Sequence, residues 1–258
     1  MSNIDYNVKD GIAVVKFNRP AKLNTLTLQM YEDLGNSFKK AAADPDVAVV
    51  ILTGEGDRAF CCGADLTESI PYLSDGHYID EWDAAHIKHV PLYKPVIGAI
   101  NGLCMGGGFE IMLATDIRVA SSTAQFKLPE VGLGIVPAGG TLVRLARQIP
   151  YTKAMELILS AKQITAQEAY EYNILNYVVE PDQLMDKAME LAQQFLSLST
   201  TAVQIAKESV LKLREIPMEQ AFETEALLGY KAFTSDDARE GLDSFYNKRK
   251  PDFPSRRW

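Results

Sequence analysis

The segment spanning residues 94–116 constrains this chain most, because it joins an apolar run to a glycine-rich corner and then to a helix-forming stretch. Val96–Ile100 has the length and branching of a buried strand. Residues 106–108 are three glycines, which let a ligand or another backbone approach without meeting a Cβ. Residues 109–114 favour helix, so the last glycines fall in its first turn, where free N–H groups favour negative charge. We expect a functional site here, although a glycine-rich loop that only allows packing has the same pattern.

Two acidic residues accompany this corner and are candidate catalytic groups. Glu110 stands near the start of the predicted helix, and Glu130 follows Pro129 in a later loop. Judged from residue type alone, each of the two glutamates also has an explanation that needs no catalytic role. Glu110 is an acid at a helix start, where the dipole favours it, and Glu130 is a solvated loop carboxylate.

The residues before the corner predict an α/β fold. Ile12–Phe17 is typical of a strand, and residues 27–43 predict a helix with Met30, Leu34 and Phe38 on one face. The continuous apolar run at residues 47–53 is typical of a strand covered on both sides, which points to parallel β structure with helical crossovers. A short strand then runs into the small residues Gly63 and Ala64, which leave a main-chain N–H accessible.

The last part of the chain is predicted to be helical. After residue 141 helices dominate, with a capping box at residues 165–168, and no strand is predicted in the last 60 residues. We therefore divide the chain into an α/β core at residues 1–195 and a helical region at residues 196–258. Phe222, Leu227, Leu228, Tyr230 and Phe233 give this region more apolar surface than one helix needs, so we expect a partner helix or subunit, with intramolecular packing as the alternative.

Charge and composition exclude several classes of protein. A net charge of −8 argues against non-specific nucleic-acid binding, which depends on phosphate neutralisation. The first residues lack a signal-peptide pattern, and no apolar run is long enough to span a bilayer. Cys61, Cys62 and Cys104 form neither a disulfide framework nor a metal pair, so we interpret them as packed thiols of a cytoplasmic protein.

Residues 70–90 are polar, aromatic and poorly periodic, and they predict either a lid over a pocket or a surface loop. This stretch contains His77, His86 and His89. Their spacing matches no standard zinc motif, and the neighbouring acids indicate a solvated segment. We expect no metal site.

Motifs distributed along the chain resemble the enoyl-CoA hydratase and isomerase family of the crotonase superfamily over almost the whole length. The stretches that carry the resemblance are NRP with LN at residues 18–24, RAFCCGADL at 58–66, KPVI at 94–97, NG at 101–102, GGGFE at 106–110, DIR at 116–118, PE with GLG at 129–134, and GG at 139–140. The resemblance implies an α/β fold made of a spiral of ββα repeats, followed by a C-terminal helical trimerisation region. It also implies self-association as a trimer or a dimer of trimers. No repeat is evident in the sequence itself.

The resemblance also implies roles for four residues. The main-chain N–H groups of Ala64 and Gly107 correspond to an oxyanion hole for the carbonyl of an acyl-CoA thioester. Glu110 and Glu130 correspond to the two acids of the hydratase subgroup, and we assign Glu110 to water activation and Glu130 to proton exchange at Cα. Two neighbouring carboxyls in a desolvated pocket have different pKa values, which allows one to act as the acid and the other as the base.

The implied function is hydration of a 2-trans-enoyl-CoA to a 3-hydroxyacyl-CoA, with no cofactor beyond the coenzyme A of the substrate. Coenzyme A binding is expected from residues near the two ends of the chain and beside Ala64, namely Lys22, Leu23, Asn24, Asp65, Leu66, Thr67 and Lys248. A double-bond isomerase and a carnitinyl-CoA-type dehydratase are alternatives with the same fold. An RNA-binding or interaction module is an alternative of a different class.

Overall fold

Two sheets form the β structure of residues 3–256, the part of the chain that the computed structural model describes. The larger sheet has the strand order β1-β2-β3-β5-β7-β10, and the smaller has the order β4-β6-β8-β9. The strands are β1 Ile4–Lys9, β2 Ile12–Phe17, β3 Val49–Gly54, β4 Ala59–Cys61, β5 Val96–Ile100, β6 Leu103–Met105, β7 Ile117–Ser121, β8 Gln125–Lys127, β9 Ile164–Thr165 and β10 Tyr177–Val179. Apart from the antiparallel pairs β1–β2 and β8–β9, neighbouring strands are parallel.

The chain alternates between the two sheets. β3, β5 and β7 belong to the larger sheet, and each is followed at once by a strand of the smaller sheet, β4, β6 or β8. Because helices then return the chain to the next strand of the larger sheet, three similar ββα turns stack beside one another. The α/β spiral expected from the resemblance is therefore present, and its second strands are too short to produce a visible sequence repeat.

The helices cover both faces of the larger sheet. They are α1 Leu28–Ala43, α2 Ser69–Ser74, α3 Trp82–Ala85, α4 Gly107–Met112, α5 Thr141–Gln148, α6 Tyr151–Ser160, α7 Ala166–Glu171, α8 Leu184–Leu196, α9 Thr200–Leu213, α10 Met218–Phe233 and α11 Asp236–Tyr246. Short 3-10 turns occur at Pro20–Lys22, Glu130–Leu133 and Pro181–Gln183. None of the described helices is both long and apolar enough to cross a membrane.

The side chains of β3 explain why the larger sheet is parallel and buried. Val50 and Leu52 enter the main core together with residues of β4, β6 and α1. Val49 and Ile51 point to the opposite face and pack in a second core under α8. A strand that is apolar on both faces needs cover on both sides, and helical crossovers supply it.

Most of the predicted elements are confirmed. Ile12–Phe17 and Val96–Ile100 have the bounds expected from the sequence. The predicted capping box is present at Thr165, whose side chain accepts from the Glu168 N–H while the Glu168 carboxylate accepts from the Thr165 N–H. The strands β1 and β6 were not predicted.

The C-terminal region is helical, as expected, and no strand occurs among its described residues. The predicted boundary between residues 195 and 196 falls at the end of α8, and residues 1, 2, 257 and 258 of the two predicted regions lie outside the described residues. α9 is tied to the core, since Lys207 Nζ donates to Asp116 Oδ2 at 2.6 Å. On α10, Phe222, Leu227 and Phe233 are largely exposed. In the single chain they lack the partner that such a surface needs.

Candidate active site

A cavity of about 590 Å³ opens beyond the ends of β4 and β6 of the smaller sheet. Five segments line it, and each comes from a different part of the chain. They are α1 through Tyr31, the corner after β4, the stretch containing α2 and α3, the start of α4, and the loop that begins at Pro129. The segment interpreted as a possible lid forms one wall through Ile70, Leu73, Tyr78 and Trp82.

Two backbone N–H groups meet at one end of this cavity. A Cβ built on Gly63 would lie 2.8 Å from the Gly107 nitrogen, and a Cβ built on Gly107 would lie 3.7 Å from the Ala64 nitrogen. Gly63 has φ +79°, a left-handed conformation that glycine adopts without strain. Within residues 3–256, neither the Ala64 nor the Gly107 N–H has a hydrogen-bond acceptor. Two unpaired donors so close together can receive one ligand oxygen.

Glu110 stands one turn along α4 from Gly107, with its side chain directed into the cavity. The residue is only 3% exposed. Its Oε1 accepts a hydrogen bond from the Thr141 N–H at 3.3 Å. Burial raises the pKa of this carboxyl, and the Thr141 bond opposes the shift in part. The Gly139 backbone N–H also stabilises the charged form of this carboxyl, and the second oxygen of Glu110, Oε2, lies beside Gly139.

Glu130 begins the 3-10 turn after β8 and lies on the other side of the same cavity. It is 7% exposed, and its Oε1 lies 3.1 Å from the point that a Cβ on Gly106 would occupy. Its Oε2 is buried and has no partner among the described residues. Burial raises the pKa of Glu130 to about 7, and the negative charge of Glu110 adds to the shift. At neutral pH this carboxyl exchanges its proton readily.

The structure thus brings the four residues Ala64, Gly107, Glu110 and Glu130 to one cavity. Two N–H donors face the end of a pocket that two weakly acidic carboxyls flank. Such an arrangement can stabilise an oxyanion while it moves protons at the neighbouring atoms.

The residues expected to bind coenzyme A divide into two groups. Leu66 lines the cavity and is exposed. Lys22, Thr67 and Lys248 are exposed, and Leu23 is half-buried, but none of these four lines the cavity.

The side chains of Asn24 and Asp65, also expected to bind coenzyme A, hydrogen-bond to other residues of the protein and do not line the cavity. Asn24 is fully buried, and its Nδ2 donates to the Ala59 carbonyl at 2.8 Å and to the Glu55 carbonyl at 3.1 Å. Asp65 accepts from the Thr67 hydroxyl at 2.6 Å and from Arg19 at 2.6 Å. These bonds hold the pKa of Asp65 well below its usual range. Both side chains stabilise the loop beside Ala64.

Two aromatic side chains at or beside the cavity, Tyr31 and His86, were not predicted from the sequence. Tyr31 lies on the apolar face of α1, stacks on Trp82 at 5.0 Å, and carries a buried hydroxyl with no partner among the described residues. His86 was placed in a solvated segment, which is wrong, because the residue is fully buried behind Trp82. The i, i+4 spacing of Trp82 and His86 was the available signal.

Removing the Asn24 side chain is expected to destabilise the fold. Asn24→Ala removes the Asn24 donor from the Ala59 and Glu55 carbonyls and the side-chain acceptor from the Arg19 N–H, although Ala59 keeps the Asn101 donor. We expect a loss of about 1–3 kcal/mol in the free energy of unfolding. Urea denaturation measures it, with Lys22→Ala as an exposed control expected to stay within about 0.5 kcal/mol of the wild type. An Asn24→Ala protein as stable as the wild type would contradict the structural role.

Comparison with known proteins agrees with this architecture. The family model described as enoyl-CoA hydratase/isomerase matches residues 7–256. Enoyl-CoA hydratase EchA19 of Mycobacterium tuberculosis is 40% identical over 248 residues, which cover 94% of this chain and 93% of that protein. The (E)-benzylidenesuccinyl-CoA hydratase of Thauera aromatica is 34% identical, covering 97% and 98%. The crystal structure of an enoyl-CoA hydratase from Bacillus anthracis matches with a TM-score of 0.92 at 34% identity, covering 98% and 100%. The chain therefore belongs to the enoyl-CoA hydratase/isomerase family.

Proposed function

We propose that this protein is an enoyl-CoA hydratase that reversibly adds water to a 2-trans-enoyl-CoA and yields a 3-hydroxyacyl-CoA. The observation that carries the proposal is the pairing of two buried carboxyls of raised pKa, Glu110 and Glu130, beside two unpaired N–H groups. The similar proteins named above are called hydratases, which supports the same reaction class.

The two N–H groups are proposed to bind the thioester oxygen. In the substrate this oxygen accepts from Ala64 and Gly107. As water adds to Cβ, electron density moves through Cα to the oxygen and gives an enolate. Because the two N–H donors are already held in position, they bind the charged enolate oxygen more strongly than the neutral carbonyl oxygen. Each such donor contributes about 3–4 kcal/mol in related acyl chemistry.

The two glutamates are proposed to carry the protons. Glu110, as a carboxylate, takes one proton from water while the water oxygen bonds to Cβ. Glu130, as a carboxylic acid, gives its proton to Cα and closes the enolate to the saturated thioester. One O–H bond of water, the Cα=Cβ π bond and the Glu130 O–H bond break, while one C–O bond, one C–H bond and the Glu110 O–H bond form. Glu110 then loses its proton and Glu130 regains one, directly or through solvent, before the next turnover. The reverse steps eliminate water, so the direction depends on substrate supply.

The remainder of the cavity suits an acyl chain. Leu66, Tyr78, Leu133 and Val136 give it a largely apolar wall. No cofactor is required by the proton transfers above, and coenzyme A enters as part of the substrate. Lys22 and Lys248, both exposed, are proposed to meet its phosphates, the latter across a subunit interface.

Self-association as a trimer or a dimer of trimers is proposed for the exposed apolar surface of the C-terminal helices. Phe222, Leu227, Tyr230 and Phe233 are at least 62% exposed, a surface that a second chain of this kind would cover. The unpaired cysteines Cys61, Cys62 and Cys104 support the proposal of a cytoplasmic protein.

Replacing either glutamate is expected to remove most of the activity. Glu110→Gln and Glu130→Gln keep the size of the side chain but abolish proton transfer, so kcat on crotonyl-CoA should fall about 10²- to 10⁴-fold. Loss of the conjugated enoyl absorbance measures the rate. Unchanged turnover in both variants refutes the assignment, whereas turnover of a 3-enoyl-CoA without any of a 2-enoyl-CoA indicates an isomerase.

The pH dependence should have the same sign in both directions. Hydration needs Glu110 as a carboxylate and Glu130 as an acid, dehydration needs the reverse, and both arrangements carry one proton on the pair. Because water addition takes up no net proton, the ratio of the two kcat/KM values does not change with pH. Glu130 has a pKa of about 7, so kcat/KM for hydration and for dehydration should both fall as pH rises through about 7. Initial rates measured in both directions check this, and a kcat/KM for hydration that does not fall over this range would contradict the role of Glu130.

A further inference from the structure

His86 has one protonated nitrogen whose position follows from its hydrogen bond. Its Nδ1 lies 2.7 Å from the Trp82 carbonyl oxygen, which can only accept, so Nδ1 carries the proton. Burial lowers the pKa of His86 to about 3, and the ring is neutral at physiological pH. Nε2 therefore presents a lone pair. That nitrogen is buried and has no partner among the described residues.

The lone pair of Nε2 and one oxygen of Glu110 face the same small space. A Cβ built on Gly139 would lie 2.3 Å from His86 Nε2 and 2.8 Å from Glu110 Oε2. The other oxygen of Glu110, Oε1, already accepts from the Thr141 N–H. The Gly139 backbone N–H is a further donor toward this carboxyl. When Glu110 is protonated, Oε2 is the oxygen that can carry the proton toward Nε2, and the imidazole is the neighbouring acceptor.

The charged groups around this pair are held by other partners. On the His86 side, Lys88 Nζ donates to Asp83 Oδ1 at 3.1 Å and to the Ala138 carbonyl at 3.0 Å. The Arg144 guanidinium donates to the carbonyls of His86 at 2.8 Å and Ile87 at 3.1 Å.

On the cavity side, the titratable neighbours of Glu110 are Glu130 and Tyr31, both with raised pKa values. The charges of Lys88 and Arg144 oppose protonation of the imidazole, whereas Asp83 favours it. The imidazole therefore stays an acceptor.

We propose that His86 is a positioning residue whose Nε2 accepts a hydrogen bond from the protonated carboxyl of Glu110 and so stabilises its neutral form. Its kinetic consequence rests on the proposed hydration, because Glu110 becomes neutral when it takes a proton from water. In that step the proton moves from the water oxygen to Oε2 and stays there. No proton passes to His86.

Gly139 keeps the space for this bond open. Its φ lies outside the left-handed range, so an alanine fits the backbone, but the added Cβ would separate the imidazole from the carboxyl. Gly132, in the same loop, has nothing within 4 Å of such a Cβ. Gly139→Ala and Gly132→Ala are therefore a matched pair.

The test is the pKa of Glu110, read from the ¹³C resonance of its side-chain carboxyl in glutamate-labelled protein and assigned with Glu110→Gln. His86→Asn keeps a donor for the Trp82 carbonyl but has no acceptor at the Nε2 position, whereas His86→Gln has one there. Loss of the bond to the neutral form should lower the pKa of Glu110 by about one pH unit in His86→Asn, with recovery in His86→Gln.

Gly139→Ala should also lower the pKa of Glu110, whereas Gly132→Ala should leave it unchanged. If His86→Asn does not fold, the comparison of Gly139→Ala with Gly132→Ala tests the proposal in its place. A Glu110 pKa that is the same in the wild type, His86→Asn and Gly139→Ala overturns the proposal.

Kinetics separate this inference from the proposed function. With crotonyl-CoA, His86→Asn should lower kcat about tenfold while KM stays within about twofold, since the bond forms as Glu110 gains its proton. A shifted Glu110 pKa in a protein without hydratase activity supports the hydrogen bond and refutes the proposed function. An active enzyme with an unshifted pKa refutes the hydrogen bond alone.

Discussion

The site depends on a close approach between the corner after β4 and the first turn of α4. A Cβ on Gly108 would lie 2.1 Å from the Cys61 carbonyl oxygen, and one on Gly63 would lie 2.8 Å from the Gly107 nitrogen. Real side-chain carbons do not approach so closely, so the backbones meet in this way because both positions are glycine. The parallel pairing of β4 with β6 brings the two corners to the same edge of the smaller sheet. The unpaired N–H groups of Ala64 and Gly107 result from this contact.

Burial is the second constraint, and it decides the chemistry of the carboxyls. Glu110 and Glu130 stand on different elements, yet both line one cavity and both are largely buried. Desolvation is the largest cause of the raised pKa in each, and at Glu130 the negative charge of Glu110 adds to it. The two carboxyls also differ in hydrogen bonding, since Glu110 accepts from Thr141 while Glu130 Oε2 has no partner among the described residues. These unequal surroundings allow one carboxyl to act as base while the other acts as acid.

Sequence patterns predicted the elements whose own residues determine them. The apolar run that contains β3 indicated a covered parallel strand, and the capping box of Thr165 and Glu168 marked the start of α7. β6 was missed because it has three residues and exists only through pairing with β4 and β8. The glycine corner was recognisable from residue type. The directions of the Asn24 and His86 side chains were not, because tertiary contacts set them.

The central claim is that two backbone amides polarise the thioester carbonyl of a bound acyl-CoA. The most direct measurement is the ¹³C resonance of crotonyl-CoA labelled at that carbonyl, bound to the Glu110→Gln/Glu130→Gln double variant, which retains both amides. A downfield shift on binding is expected, because hydrogen bonds withdraw electron density from the carbonyl carbon. Saturating binding with a resonance at the position of the free ligand would contradict the account.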